Sequence, residues 1–269
     1  MARGDLTGAQ WARLEPLLPK GTKPGRPPIW TRRQLIDGIR WRTRTGAPWR
    51  DVPERYGPWG RVYDLFRRWQ RGGTWKRILT ELQARADSKN LITCDINVDS
   101  TVCRAHQHAA GARKRGPAEG AARRHRRRAP DDHGLGRSRG GLTTKPHLAV
   151  EQGQKPMSIV ITAGQRGDSP QFEPVLKAIC VPRVGPGRPR TRPDRVRAGG
   201  RADKAYTSRK NRGSYGGRPP KFDKIDYRDR HAVGEMNRLR RHRAVATKYE
   251  KLAVRYEATV LVAAMNEWL

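Results

Sequence analysis

The chain has 269 residues, and its lysines and arginines outnumber its acids 58 to 25, which gives a formal net charge of +33. A charge of this size predicts a polyanionic partner such as nucleic acid. No apolar run reaches the 18 residues that a membrane span needs, and the three cysteines lack metal-ligand spacing. The composition thus argues against membrane proteins and disulfide-rich secreted proteins, and it predicts free thiols in a reducing cytoplasm.

The first ninety residues predict helices. Leu6, Trp11 and Leu14 fall near one helical face, and Thr7 is placed to cap the first turn. A linker rich in proline, glycine and basic residues follows. The next segment, "TRRQLIDGIRWRTRTG", places its apolar residues on one side and its arginines elsewhere, which predicts a second amphipathic helix.

Two further segments of this region form a possible DNA-reading pair. "WRDVPERYG" is separated by "GPWG" from "RVYDLFRRWQR", where the apolar residues share one face and the arginines lie outside it. Two short helices around a glycine-containing turn, the second with exposed arginines, are typical of a helix-turn-helix. We therefore predict a small, all-helical DNA-binding domain of helix-turn-helix type over residues 1–88.

After residue 88 the pattern changes from helices to strands. "LITCDINVDSTV" alternates and is rich in β-branched residues, which predicts a strand, and "GLTTKPHLAVEQGQKPMSIVITAG" predicts two more strands around a turn. A short helix is predicted in "SPQFEPVLKAICV" and a long one in "AVATKYEKLAVRYEATVLVAAMNEWL". Residues 89–269 therefore predict an α/β arrangement with an antiparallel component.

Two segments of this second region predict irregular structure. Small residues and arginines dominate at about residues 109–140, which is typical of a mobile basic loop. "PRVGPGRPRTRPDRVRAGGR" is rich in proline, glycine and arginine, and its end is poor strand material because glycines and arginines replace an apolar run. The pattern thus predicts an incomplete central sheet.

Three carboxylates are candidates for chemistry. Asp99 lies on a predicted strand among apolar neighbours, where a charge is costly unless a cation or metal compensates it; the alternative is a turn cap or a pair with Arg104. Asp203 has Lys204 beside it, so a surface salt bridge is its plain interpretation. Glu235 precedes an arginine-rich run. Carboxylates that converge from separate segments can hold two divalent cations for phosphodiester chemistry.

The chain resembles bacterial insertion-sequence transposases of the DDE superfamily, in the branch with a helical N-terminal domain and a Tyr-Arg-Glu-Lys signature. The resemblance runs nearly end to end and rests on motifs that include "VDST", "GRSRGGLTTK", "TAGQRGDSPQF", "RADKAY" and "GGRPPKFD". It implies an RNase H-like mixed sheet with flanking helices. It also implies that Asp99 and Asp203 bind Mg²⁺ (or Mn²⁺), that Glu235 completes the site, and that Tyr227 and Arg230 belong to the signature.

The resemblance further implies an enzyme with DNA partners. A transposase of this type binds the terminal inverted repeats of its element, cleaves there, and joins the freed 3′ hydroxyl to target double-stranded DNA. It would act as a homo-oligomer in a synaptic complex, in the bacterial cytoplasm and associated with the nucleoid. The residues expected to contact DNA are Arg61, Arg67, Arg68, Arg104, Lys204, Tyr227, Arg230, Arg238 and Arg241.

The sequence departs from this family around its last acid. The family's glutamate stands four residues after the signature arginine, where this chain has Gly234, and Glu235 lies one position later, which is about 100° on a helix. Arg241 replaces the signature lysine. Only residues 204–234 separate the second and third acids, too few for the helix and strand that the family usually has there. The alternatives are therefore a catalytically inactive, internally deleted remnant that only binds DNA, and an arginine-rich structural or RNA-binding protein.

Overall fold

The computed structural model describes residues 4–20, 28–110, 133–138, 140–151, 153, 155–198 and 238–269. Its α-helices are α1 (Gly8–Leu14), α2 (Arg32–Thr45), α3 (Trp59–Arg71), α4 (Thr74–Asp87), α5 (Gln107–Ala110), α6 (Ser169–Lys177), α7 (Arg243–Ala246) and α8 (Ala253–Trp268). Its strands are β1 (Asp95–Ser100), β2 (Cys103–Ala105), β3 (Gly136–Ser138), β4 (Gly141–Glu151), β5 (Pro156–Ala163), β6 (Arg195–Ala198) and β7 (Thr247–Lys248). Within the described residues, no helix is both long enough and apolar enough to cross a membrane.

The N-terminal helices form as their sequences predict. Thr7 and Thr31 each precede a helix and form a capping box. The threonine side chain accepts from the backbone N–H of a glutamine three residues later, and the side chain of that glutamine accepts from the backbone N–H of the threonine. Helix α2 ends at Gly46, whose φ of 69° suits a residue without a side chain. A side chain at Gly38 would bring its Cβ within 2.9 Å of the Cβ of Tyr56, so this glycine lets the segment before α3 pack closely on α2.

"WRDVPERYG" differs from its predicted helix. It forms two separate 3-10 turns, Trp49–Asp51 and Glu54–Tyr56, each preceded by a proline. Proline at positions 48 and 53 lacks an N–H and fixes φ, so one continuous α-helix cannot run through this segment. Helix α3 itself is confirmed, and its buried face carries Val62 and three further apolar residues.

The sheet is built around β4, the longest strand. On one edge β4 pairs antiparallel with β1 and β2, and on the other edge with β5 and β3. Strand β6 extends the sheet parallel to β1, and β7 runs parallel to β2. In the part of the chain that the structure describes, this gives a seven-stranded mixed sheet. The predicted α/β arrangement with an antiparallel component and preceding helices is therefore confirmed.

Strand β6 shows where the sequence interpretation was wrong. The segment containing Arg195–Ala198 was expected to be poor strand material, yet it pairs in parallel with Asp95–Val98 of β1. Pairing of this kind uses backbone groups, and the side chain of Arg195 is 61% exposed, so its charge stays in water. Strand β3 likewise lies within the segment predicted as a basic loop, so the prediction is wrong at residues 136–138.

One hydrophobic core joins the helices to the sheet. Helix α8 packs against α2, α3 and α4 and also against β5. Buried residues of both regions, such as Ile36 on α2, Val98 on β1 and Val260 on α8, belong to the same cluster. The predicted C-terminal helix is confirmed but begins at Ala253, because the residues before it form α7 and β7. The division of the chain at residue 88 stays a prediction.

Candidate active site and nucleic-acid interface

Asp99 lies near the end of β1, next to the centre of the sheet. It is half-buried and stands opposite Leu148 of β4 in the antiparallel register. Val98 and Leu148 are both fully buried, so the carboxylate has apolar neighbours as its sequence predicted. One carboxylate oxygen, Oδ1, accepts a hydrogen bond of 2.7 Å from the backbone N–H of Ser100. The strand therefore holds Asp99 in a defined orientation.

The charge of Asp99 has no cation partner among the described residues. No lysine or arginine of that part of the chain forms an ion pair with it. The guanidinium of Arg104, the alternative partner predicted from the sequence, lies beside Gly140. Burial raises the pKa of Asp99, the negative charge of Asp168 adds to this, and the Ser100 N–H opposes it. A carboxylate in this state is stabilised by any cation that binds from outside.

A polar cluster that sequence reasoning missed lies beside Asp99. The Ser100 hydroxyl donates to Oδ1 of Asp168 at 2.7 Å, and the Lys145 ammonium approaches the same oxygen at 2.9 Å. Burial alone would raise the pKa of Asp168, but the hydrogen bonds from Lys145 and Ser100 outweigh it and bring the pKa below its usual value. Asp168 is therefore a stable carboxylate with its own cation, unlike Asp99.

His147 completes this cluster. It is fully buried, lies opposite Ser100 in the register of β1 and β4, and has Nε2 at 2.9 Å from the Thr162 hydroxyl. Its Nδ1 lies 3.7 Å from Oδ1 of Asp168. Burial lowers the pKa of His147 to about 4 even though Asp168 acts in the opposite direction, so the imidazole is neutral at pH 7. The signal in the sequence was the alternation in "TTKPHL", which places Lys145 and His147 on one face of β4.

The pairing of β6 with β1 limits how far Asp203, the second predicted metal ligand, can lie from Asp99. Ala198, the last residue of β6, stands opposite Val98 in parallel register, so β6 ends at the same end of the sheet as Asp99. Asp203 follows five residues later, and five extended residues span at most about 18 Å. Asp203 itself lies outside the described residues, as do the other predicted site residues Lys204, Tyr227, Arg230 and Glu235.

The fit of a divalent ion can be tested only at Asp99. No group of three or more His, Cys, Asp or Glu that could hold a metal ion occurs in the described ranges. Asp99 offers hard carboxylate oxygens, which suit Mg²⁺, and it lacks a competing ammonium or guanidinium group among those ranges. It therefore fits as one ligand of an ion whose remaining predicted ligands, Asp203 and Glu235, are not described.

Helix α3 presents two of the three arginines predicted there. Arg61 and Arg68 are exposed and stand seven residues apart, which places them on one helical face. They line an open groove of about 1070 Å³ together with Trp30 and Asp64. Arg67 is half-buried and donates to the Tyr63 hydroxyl at 3.0 Å. The first two arginines are thus available to a phosphate, whereas the third is held by its neighbour.

A second basic groove, of about 690 Å³, lies where β2, β3 and β4 meet. Arg104 and Arg137 line it, and both are exposed. Of the predicted DNA contacts near the C-terminus, Arg241 is exposed, and Arg238 is 4.0 Å from the carboxylate of Glu267. Arg104 and the arginines of α3 thus line two different grooves.

Comparison with known proteins points to mobile DNA elements. A family model described as "Putative transposase of IS4/5 family" (DUF4096) matches residues 6–79. "Uncharacterized protein y4sN" of Sinorhizobium fredii (strain NBRC 101917 / NGR234) is 41% identical over 109 residues, which cover 40% of this chain and 83% of that protein. "Insertion element IS402 uncharacterized 16.2 kDa protein" of Burkholderia cepacia is 33% identical over 117 residues, which cover 39% of this chain and 76% of that protein. No solved structure matches the chain.

Proposed function

Because the chain belongs to the IS4/5 family of insertion-sequence transposases, we propose that it is a DDE-type DNA transposase. It binds the ends of its element and catalyses metal-dependent strand cleavage and strand transfer. The mixed sheet with preceding helices is compatible with an RNase H-like catalytic domain behind a helix-turn-helix type domain. The observation that carries the proposal is the state of Asp99.

Asp99 differs from those buried acids of the described residues that have a cation partner; Glu151 is also buried without a described ion pair, but backbone N–H groups of Gly153 and Thr93 donate to it. Asp87 is paired with two arginines, Glu250 with Arg42, and Asp168 with Lys145. In a chain with 58 basic residues, such a partner is easily found. A carboxylate that is half-buried, oriented and left without a described cation is costly for folding. Perturbed groups of this kind concentrate at functional sites, so the geometry favours a role for Asp99 in binding a cation.

The chain's acids have a simple role in this proposal. Asp99, Asp203 and Glu235 would hold Mg²⁺ or Mn²⁺, and the short connection from the end of β6 keeps Asp203 within reach of Asp99. Bound ions supply activation of the attacking oxygen and stabilisation of the leaving oxygen at the phosphodiester. The Ser100 N–H fixes one oxygen of Asp99. Arg230 and Arg241 would lie near the scissile strand.

Basic residues bind the DNA in this proposal. Arg61 and Arg68 on the exposed face of α3 contact phosphates of the terminal inverted repeats, because they are exposed and have no ion pair with a described acid. Arg104 and Arg238, with Lys204 and Tyr227, contact DNA nearer the cleavage site. Two ends must be held together, so the active form is a homo-oligomer. Such a protein works on the bacterial nucleoid in the cytoplasm.

The test is cleavage of a labelled end fragment. The full chain is incubated with the fragment and Mg²⁺ beside Asp99→Ala and a matched control, Asp95→Asn, an acid on the same strand. We expect nicking at one position that requires the metal, is lost in Asp99→Ala and persists in Asp95→Asn. Nicking that survives in Asp99→Ala would overturn the assignment of this residue.

A second candidate function is supported by the spacing of the last acid. Gly234 occupies the family's glutamate position and the preceding segment is short, which favours a remnant that occupies element ends without cutting. The same experiment separates the two. Tight, sequence-specific retention of the fragment without nicking by the unaltered protein would support the remnant, and binding that is indifferent to sequence and strandedness would contradict both.

A further inference from the structure

We propose that Asp64 on α3 is a specificity-determining residue, which accepts a hydrogen bond from the amino group of a cytosine in the major groove of the bound duplex. This inference rests on the proposed function and deepens it, because it names a base that the protein recognises in the DNA end. The arginines around Asp64 bind phosphates, whereas this acid reads a base.

Asp64 lies on the outward side of α3, within a row of arginines. Arg61, Asp64, Arg68 and Arg71 are all exposed and line the same open groove. At 100° per residue, these four positions fall within an arc of about 80°. The buried residues of α3 lie outside that arc, and Asp64 is the only acid of the helix. One carboxylate thus lies on a surface that is otherwise cationic.

Asp64 forms no ion pair within the described ranges, although suitable cations stand close in sequence. Arg68 follows it by four residues, a spacing at which ion pairs form on a helix. On α6, Glu173 and Lys177 do form such a pair at this spacing, with 2.6 Å between the charged atoms. The oxygens of Asp64 therefore remain available to accept hydrogen bonds from a ligand.

A carboxylate at this position opposes contact with the DNA backbone. It repels phosphates and has acceptors only, so it can bind DNA only where the DNA donates. In the major groove, the donors are the amino groups of cytosine and adenine. Adenine also has the acceptor N7 beside its amino group, which repels a carboxylate, so Asp64 favours cytosine.

The spacing along α3 suits this division of roles. Arg61 and Arg68 are about 10.5 Å apart along the helix axis, at 1.5 Å per residue, and Asp64 lies between them. The major groove of B-DNA is about 12 Å wide. The two long arginine side chains can therefore reach phosphates on its opposite sides, while the shorter Asp64 faces the base edges.

The test compares the base preference of the full-length protein with that of two Asp64 variants. Fluorescence anisotropy measures binding to end-fragment duplexes in which each base pair is replaced in turn. We expect the unaltered protein to prefer cytosine about tenfold at one position. Asp64→Ala should lose the preference at that position alone. Asp64→Asn should shift it to adenine, because an asparagine side chain binds N6 and N7 of adenine together.

Glu81→Gln is the matched control, since it removes an exposed acid of α4 that does not line the groove. It should leave the base preference unchanged. If the unaltered protein binds every duplex equally, specific binding of the ends fails, and the proposed function with it. If it has a preference that both Asp64 variants keep, this inference alone is wrong. Loss of preference at every position in the Asp64 variants, or at the same position in Glu81→Gln, would assign the effect to the fold or to net charge and would also overturn the inference.

Discussion

Two regions of this molecule bury charged side chains in opposite ways. Where α2 meets the segment before α8, Arg42 and Glu250 form an ion pair at 2.5 Å, and their side chains are 4% and 5% exposed. The guanidinium lies 4.9 Å from the ring of Trp49, and Thr259 donates to the same carboxylate oxygen. At the end of β1, by contrast, Asp99 has a backbone N–H as its hydrogen-bond partner and no described cation beside it.

The comparison separates Glu250 and Asp99 by their partners. A raised pKa alone does not distinguish Asp99, since burial also raises the pKa of Asp37 on α2. Asp37, however, accepts from the backbone of Leu6 and pairs with Arg40, so it fastens the N-terminus to α2. Within the described ranges, Asp99 forms no hydrogen bond or ion pair with another element. The absence of a partner is informative because the chain offers many cations, and the predictions below test that distinction.

The largest expected effect is that of Asp99→Asn. Nicking of an end fragment should fall to background, while the melting temperature stays the same or rises by a few degrees, because the variant no longer buries an uncompensated charge. Calorimetry and the cleavage assay on one preparation check both. A large fall in melting temperature would show that Asp99 stabilises the fold as Glu250 does, and would contradict the distinction between the two.

Glu250→Ala should behave in the opposite way. It leaves Arg42 buried without its partner, which typically costs about 3–5 kcal/mol of unfolding free energy. Urea unfolding measures this loss, and nicking per folded molecule should change little. Replacing both residues, Arg42→Met with Glu250→Leu, should restore most of the stability. A double variant as unstable as the single one would mean that the pair does more than balance charge.

The buried imidazole of His147 predicts a pH dependence of stability. Its pKa is lowered to about 4 from 6.5, so between these values the unfolded chain binds a proton that the folded chain does not. Stability is therefore fully present above pH 6.5 and is lost as pH falls toward 4, by on the order of 3 kcal/mol. His147→Gln should flatten this slope in urea titrations at several pH values. An unchanged slope would assign it to His242, whose pKa is also lowered to about 4.

Local signals made much of the fold predictable. The caps of α1 and α2, the alternation of β1, β4 and β5, and the turn between the last two all depend on neighbouring residues. The cost of burying Asp99 could be read from its apolar flanks. Strand β6 could not be predicted, because its pairing with β1 uses backbone groups far away in sequence and its side chains resemble those of a loop.

The network beside Asp99 escaped prediction for a related reason. Ser100 and Asp168 are separated by 68 positions, and only the register of β1, β4 and β5 brings them together. In the sequence, Asp168 looks like an ordinary acid at a helix start. Lys145 ends the motif "GRSRGGLTTK" and Asp168 lies in "TAGQRGDSPQF", but neither motif shows that the two side chains meet. Pairwise contacts across a sheet are set by the whole fold and not by spacing.

The smallest expected effects test whether arginines that have a partner within the protein also differ in function from those that have none among the described residues. Arg61 and Arg68 are exposed and form no ion pair among the described residues, whereas Arg67 is held by Tyr63. Each of Arg61→Gln and Arg68→Gln should weaken binding of the end fragment and reduce the slope of log affinity against log salt by about 1.

Fluorescence anisotropy at several salt concentrations measures these slopes. Arg67→Gln should reduce the slope less, because its guanidinium already has a partner in the protein, and Lys177→Gln on α6 controls for loss of any surface charge. Equal reductions in all four variants would mean that the phosphates are bound by net charge alone, and α3 would then have no special place in DNA binding. A reduction confined to Arg61 and Arg68 would mark this face of α3 as the surface that meets the duplex.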